Sequence, residues 1–264
     1  MLSVMEVKKR LPRDFIEELY NLNSPLVADK ILAGMAGKRN TTLRVNTLKY
    51  NIQDLMRYFR EINIKFERVS FLSDALVIKN ATEKDIQKLD IYEKGYIYLQ
   101  SLSSMIPPLV LGAKENEQIL DMASAPGSKT TQISAMMNNT GHIIANELDK
   151  IRCERLKFNL NNQGATNVEV INGYGEKLGE RYPKNFDRVL LDTPCSGEGR
   201  FIAEIAGTYR NWSLKTVKEL SKIQRKLIKS GYNALKPGGI MVYSTCTLNL
   251  EAVSYTHLTL PTIY

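Results

Sequence analysis

The sequence predicts an α/β protein: a doubly wound, largely parallel sheet preceded by a smaller mixed α/β unit. Three observations predict it. After Tyr96, short apolar runs alternate with helical patterns, which is the rhythm of strand–helix–strand units. Before Tyr96 the strand-like runs are set differently, around a single amphipathic stretch. The bulk fits both: 264 residues, 43% hydrophobic and 24% charged, suffice for one full-sized core and a second, smaller one.

Along the chain, Leu11 to Gly37 read as helices, with Phe15, Leu19 and Leu22 four and three residues apart and Leu26, Ile31 and Leu32 continuing the pattern. Gly34 and Gly37 punctuate this region. T-T-L-R-V-N-T-L-K from Thr41 reads as a strand, a helical stretch carries Leu55, Tyr58 and Phe59, and I-K-F-E-R-V and A-L-V-I-K are further strands. The larger sheet is expected from strands at Gln118–Met122, His142–Asn146, Val168–Asn172, Asp187–Asp192 and Gly239–Thr245, with helices at Lys129–Met137 and Lys150–Asn162. Right-handed crossovers would place the five C-terminal strand ends on one edge, where such folds bind ligands.

Composition narrows the chemistry. The N-terminus has no signal-peptide core and no run of 18 apolar residues occurs, so a cytoplasmic protein without membrane contact is expected. Cys153, Cys195 and Cys246 lack the paired spacing of a zinc site, and His142 and His257 are the only histidines. Neither a metal centre nor a disulfide framework is expected. A net charge of +8 favours a polyanionic partner such as nucleic acid, although charge alone is more often that of a solvated basic surface.

Chemistry concentrates at strand ends. The turn D-M-A-S-A-P-G-S-K-T, Asp121 to Thr130, carries small residues that let a ligand approach the backbone at a helix start. It is neither a dinucleotide fingerprint nor a Walker loop, and by spacing alone it also reads as an ordinary tight turn. Glu147 ends the next strand about 20 residues on, where an acid accepts ribose hydroxyls; alone it would read as a helix cap. Together they suggest an adenosine-containing cofactor. D-T-P-C-S-G-E-G (Asp192 to Gly199) and Y-S-T-C-T (Tyr243 to Thr247) end neighbouring strands, so Cys195 and Cys246 should face one cleft. Cys153, set on a helix near Leu156 and Leu160, reads as an inert packing residue.

R-V-N-T-L-K (Arg44 to Lys49), Y-L-Q-S-L-S-S-M (Tyr98 to Met105), D-M-A-S-A-P-G-S-K-T-T-Q (Asp121 to Gln132), D-T-P-C-S-G-E-G and Y-S-T-C-T-L-N resemble the successive motifs of the Sun-type RNA cytosine methyltransferases. The resemblance spans about Leu11 to Glu251. It implies a Rossmann-like S-adenosylmethionine-dependent methyltransferase sheet of seven strands at 98–251, behind a smaller N-terminal α/β RNA-binding region at 1–97. It implies that Ala123, Ser124, Ala125, Pro126, Gly127, Ser128, Lys129, Glu147 and Asp192 contact S-adenosyl-L-methionine. Cys246 would be the nucleophile and Cys195 would assist product release. The product implied is 5-methylcytosine in RNA, with 16S ribosomal RNA ahead of transfer RNA, made by a monomeric enzyme.

Two places depart from the family. Where its third strand ends in an acid that reads the adenine amino group, this chain has I-N-G-Y-G, with Tyr174 at the matching place and able to stack on adenine instead. After Glu251 the tail, 252–264, matches nothing in the family. Only 19 residues follow Thr245, too few for two further strands and a helix, so a truncated, poorly soluble and weakly active chain is expected.

Activating carbon 5 of cytosine requires thiolate addition at carbon 6, the role the resemblance gives to Cys246, and relief of charge at ring nitrogen 3, which a protonated Asp192 or nearby backbone groups could supply. From Ser213, Leu214, Val217, Leu220, Ile223 and Leu227 form an apolar stripe, with Lys215, Lys218, Lys222, Lys226 and Lys229 on another face. That lysine row suits phosphates and equally suits solvent. Two competing classes explain less: a nicotinamide dehydrogenase lacks its glycine fingerprint, and a non-catalytic RNA-binding module accounts only for the charge.

Overall fold

The computed structural model describes residues 2–37 and 39–253. The chain opens with helices α1 (Val4–Arg10), α2 (Arg13–Leu22) and α3 (Pro25–Ala36). Next come β1 (Thr41–Val45), α4 (Ile52–Glu61), β2 (Phe66–Val69), β3 (Leu72–Ile78), α5 (Glu83–Gln87), α6 (Asp90–Glu93) and β4 (Ile97–Leu99). After α7 (Leu102–Leu111) the strand–helix alternation begins: β5 (Gln118–Asp121), α8 (Ser128–Met136), β6 (His142–Glu147), α9 (Lys150–Gln163) and β7 (Val168–Asn172). It closes with α10 (Leu178–Arg181), β8 (Phe186–Asp192), α11 (Leu214–Ala234), β9 (Leu235–Ser244) and α12 (Leu250–Val253). The tail's expected misfit lies outside the described residues from residue 254 onward.

The fold divides into two compact units. One comprises Met1–Arg39, Thr193–Lys226 and the chain from Ser244; the other comprises Asn40–Asp192 and Leu227–Tyr243. The division does not run along the sequence boundary at residue 97, because β1–β4 share a unit with the larger sheet.

The larger unit holds two sheets. One is antiparallel with order β2-β3-β1-β4, and β4 pairs Leu99 with Leu43 and Ile97 with Val45. The other has order β7-β6-β5-β8-β9, with parallel β5–β6, β5–β8 and β6–β7 pairs. Strand order therefore reverses at β5, whose C-terminal end carries the small-residue turn.

A buried polar network explains two of the sequence motifs that bear no reactive group. Arg44 is fully buried, and burial pushes its guanidinium down to about 10. Its Nε donates to Gln100 Oε1 (2.9 Å), and its Nη2 donates to Thr131 Oγ1 (2.6 Å) and the Ser128 carbonyl (3.2 Å). The R-V-N strand is thereby tied to the first turn of α8. Gln100 also resolves a helix that sequence reasoning does not find. Pro107 and Pro108 lie inside α7 and lack the N–H groups that would bond Ser103 and Ser104, and Gln100 Nε2 donates to the Ser104 carbonyl instead (3.1 Å).

In the smaller unit, α1–α3 pack through Val7, Phe15, Leu19, Ala28 and Leu32 onto Phe201 and Ala203. Phe15 lies 5.1 Å from Phe201 and 5.8 Å from Trp212, edge to face in both cases. The N-terminal helices thus support the loop that follows β8. Ser3 and Glu6 close a capping box at the start of α1. Among the described residues no helix is long and apolar enough to cross a membrane.

Candidate active site

In the larger unit, the turn after β5 is held by its carbonyls. Asn146 Nδ2 donates to Met122 O (3.0 Å), Arg152 Nη2 to Ala125 O (2.7 Å), Asn159 Nδ2 to Pro126 O (2.7 Å) and Thr131 Oγ1 to Gly127 O (2.8 Å). Gly127 sits at φ +106° and opens α8; a Cβ there would come 3.0 Å from Leu156 Cδ1. The positive φ calls for glycine, and the Leu156 side chain would have to give slightly for any larger residue. Asp121, fully buried beneath the turn, has its carboxyl pushed up to about 6 by burial and accepts from Thr130 Oγ1 (2.7 Å).

Glu147 ends β6 in a buried position. Its Oε1 accepts from Asp149 N (3.0 Å), while its Oε2 is buried and accepts no hydrogen bond, although Arg152 Nη1 lies 3.3 Å away. This oxygen is ion-paired but free to accept hydrogen bonds, and two ribose hydroxyls are such donors. Together with the turn that admits a ligand to its backbone, it fits an adenosine-containing cofactor. Lys129 is engaged elsewhere: its Nζ lies 2.5 Å from Asp192 Oδ2 and 3.0 Å from Ser104 Oγ. Tyr174 is exposed, with Lys177 Nζ 5.8 Å from its ring centre.

The two strand-end cysteines lie in the smaller unit, and their sulfurs meet at 2.9 Å. Four links clamp the loops that carry them. Thr193 N donates to Ser244 O (3.0 Å), Gly199 N to Cys246 O (2.8 Å) and Gln224 Nε2 to Pro194 O (2.9 Å), and the hydroxyls of Ser196 and Thr247 meet at 3.0 Å. Glu198, buried, accepts from Trp212 Nε1 (2.6 Å) and Leu248 N (3.3 Å). From the end of α3, Arg39 Nη2 donates to the Gly199 carbonyl (2.9 Å). The hydrogen bond from Cys246 outweighs burial and, with Thr245 and the Arg200 charge, pulls the Cys195 thiol down to about 6. Such a pair loses one proton easily and shares the other between its sulfurs.

Residues 108–256, more than half of the chain, match the family of 16S rRNA methyltransferases RsmB/F. The chain belongs to this family. Curated relatives include the ribosomal RNA small subunit methyltransferases F of Serratia proteamaculans, 38% identical over 245 residues, and of Vibrio vulnificus, 39% identical over 246. Both matches cover 91% of this chain, and 51% and 52% of the respective relative, so the chain spans about half their length. Among solved structures, a methyltransferase homologue from Pyrococcus horikoshii superposes with TM-score 0.81 at 31% identity, covering 96% of this chain and 79% of that one. NSun6 from Pyrococcus horikoshii, solved with SFG, has the same fold: TM-score 0.85 at 24% identity, covering 94% and 88%.

The structure brings together Cys195 with Cys246, and Lys129 with Asp192, and it puts Ala123 to Ser128 on one turn. Cys153 is buried, its thiol pushed up by burial, as suits a packing residue. Gln224 goes unnoticed in the sequence, and Glu198 enters it within D-T-P-C-S-G-E-G without a role of its own. The apolar stripe of α11 is also broader than expected: Val217 and Leu227 are buried, but so are Ser221 and Gln224, whereas Ile223 is exposed. Lys215, Lys218, Lys222, Lys226 and Lys229 are all exposed. Among the described residues, no cluster of His, Cys, Asp or Glu is placed to hold a metal ion.

Proposed function

We propose that this chain carries the catalytic part of an S-adenosylmethionine-dependent methyltransferase that forms 5-methylcytosine in 16S ribosomal RNA through a covalent adduct of Cys246. The observation that carries the reading is the thiol pair, Cys195 and Cys246, with sulfurs 2.9 Å apart and a lowered first ionisation. An electron-poor ring carbon is attacked by a thiolate, and a second sulfur beside the first can accept a proton. The names of the relatives support ribosomal RNA as substrate.

Cys246 adds as thiolate to carbon 6 of a cytosine that has left its stack, making carbon 5 nucleophilic. Cys195 passes the pair's remaining proton to ring nitrogen 3, directly or through water, relieving the charge that builds there. S-adenosylmethionine, held by the turn from Ala123 to Lys129 with Glu147 on the ribose and Asp192 nearby in the chain, supplies an electrophilic methyl group when bound. Cys195, now a thiolate, takes the carbon-5 proton. The C–H electrons restore the carbon 5–carbon 6 double bond, the C–S bond breaks, nitrogen 3 returns its proton to solvent and Cys246 leaves as thiolate. Tyr174, exposed where the family has an acid, offers its ring to the adenine.

Transfer of labelled methyl groups into small ribosomal subunits, naked 16S RNA and transfer RNA, followed by nucleoside analysis, tests the reading. Label in 5-methylcytidine of the ribosomal substrates is expected; label only in transfer RNA, or in another nucleoside, overturns it. Cys246→Ala should abolish transfer with cofactor affinity retained, and Cys195→Ala should slow adduct formation, with ring nitrogen 3 then protonated from water, and block elimination, so that a protein–RNA adduct accumulates on denaturing gels. Glu147→Ala should cost about 1–3 kcal/mol of cofactor affinity in calorimetry, the scale for losing charge-assisted hydrogen bonds.

A further inference from the structure

The outward face of α9 has no role in the chemistry above. Cys153, Leu156, Leu160 and Gln163 are its buried residues. Ile151, Arg155 and Phe158 follow one another at spacings of four and three, so they share a face turned to solvent. Ile151 and Phe158 are both 69% exposed. With Pro126, Glu154 and Asn159 they line an open depression of about 510 Å³, within the size range of ligand clefts, roughly 300–1,000 Å³. Its floor is fixed, because Asn159 Nδ2 holds the Pro126 carbonyl and also reaches Tyr98 Oη (3.4 Å).

The charges around this face select the occupant. Lys150, Arg152, Arg155 and Lys157 oppose a single acid on α9, Glu154, and Lys157 neutralises that acid at 2.8 Å. Arg152 is spent on Glu147 and the Ala125 carbonyl. Arg155 is exposed and makes no ion pair or hydrogen bond among the described residues. An unengaged guanidinium three residues from an exposed aromatic ring matches a ligand that alternates anion and flat ring, as single-stranded nucleic acid does. A purely apolar partner would leave the excess of cations desolvated and unpaired. The cofactor fits less well, since the depression shares only Pro126 with the turn and does not reach Glu147.

We propose that Ile151, Arg155 and Phe158 form a docking site for a single-stranded segment of the substrate RNA, one base stacking on Phe158 and an adjacent phosphate meeting Arg155. The proposal rests on RNA being the substrate. It adds a positioning contact on the helix whose Arg152 and Asn159 also hold the turn after β5, so that RNA would dock beside that turn.

Anisotropy of a fluorescein-labelled single-stranded RNA oligonucleotide with the full chain, over a series of salt concentrations, tests it without methyl transfer. Phe158→Ala should weaken binding by at least about fivefold, the lower end for losing one stacked base, and Phe158→Trp should restore it. The Phe158→Ala effect should vanish on an abasic oligonucleotide. Arg155→Ala should lower the slope of log affinity against log salt by about 0.7, as for one phosphate contact. S-adenosylmethionine affinity should be unchanged in each variant. No loss with Phe158→Ala, an unchanged salt slope with Arg155→Ala, no RNA bound by the parent chain, or a loss confined to cofactor affinity each overturns the proposal. RNA bound as expected but never methylated refutes the proposed function and leaves the docking site standing.

Discussion

Two sulfur atoms 2.9 Å apart cannot titrate as independent thiols. Removing a proton from Cys195 creates an anion that the Cys246 S–H stabilises, so the Cys195 ionisation falls. The folded pair therefore becomes reactive as pH rises through about 6, whereas an ordinary thiol does so near 9.0. Alkylation by iodoacetamide, followed by peptide mass against pH, should show an inflection near 6 for the Cys195–Cys246 pair. Cys246→Ala should move the inflection of Cys195 upward, because the largest stabilising hydrogen bond is gone. A parent inflection close to 9 would show that the sulfurs do not share a proton. Cys153, buried against the Ile171 carbonyl, should stay unreactive throughout. At this scale the sequence singles out the residues proposed to react and is silent about what holds them. Cys195 and Cys246 stand out because strand ends carry chemistry; Gln224 and Glu198 do not, because their partners lie 14 to 50 residues away and no local spacing marks them.

Among elements, the loop after β8 makes a close backbone contact with the Cys246 loop. A Cβ on Gly199 would lie 2.9 Å from the Cys246 carbonyl oxygen, the atom that accepts the Gly199 N–H. Gly197, two residues earlier, has φ +80°. One glycine supplies the turn and the other the close approach. Gly199→Ala should displace the Cys246 loop, destabilise the protein by about 1–3 kcal/mol and reduce methyl transfer more than tenfold with cofactor affinity intact. Full activity with an unchanged melting temperature would show that the clamp is dispensable. Strands with strong apolar runs, such as Ile143 to Ala145 and Val189 to Leu191, are plain in the sequence because burial on both faces leaves no other reading. β4 is missed because three residues carry too little periodicity, and α7 because Pro107 and Pro108 argue against a helix that Gln100 then rescues. The Ser3–Glu6 capping box was a readable signal for α1.

On the scale of the whole chain, the two units hold different parts of the chemistry. The larger carries the turn proposed for the cofactor, Glu147 and the Lys129–Asp192 pair, while the smaller carries both thiols proposed to react. Thr193 begins the smaller unit one residue after β8 ends, and Ser244 re-enters it at the last residue of β9, so the same two strand ends deliver both cysteine loops. The N-terminal helices, read from sequence as part of an RNA-binding region, serve at least as the packing support of the loop after β8, through Phe15, Phe201 and Trp212. That contact joins residues nearly 200 positions apart, beyond the reach of any pattern in the sequence. The central claim is covalent catalysis by Cys246. RNA in which cytosine carries fluorine at carbon 5 tests it most directly, because the methylated adduct then has no carbon-5 proton to lose and cannot eliminate. Incubating the chain with that RNA and S-adenosylmethionine, then mapping the conjugate by peptide mass, should yield a stable one-to-one adduct at Cys246; no adduct, or one at Cys195, would contradict the account.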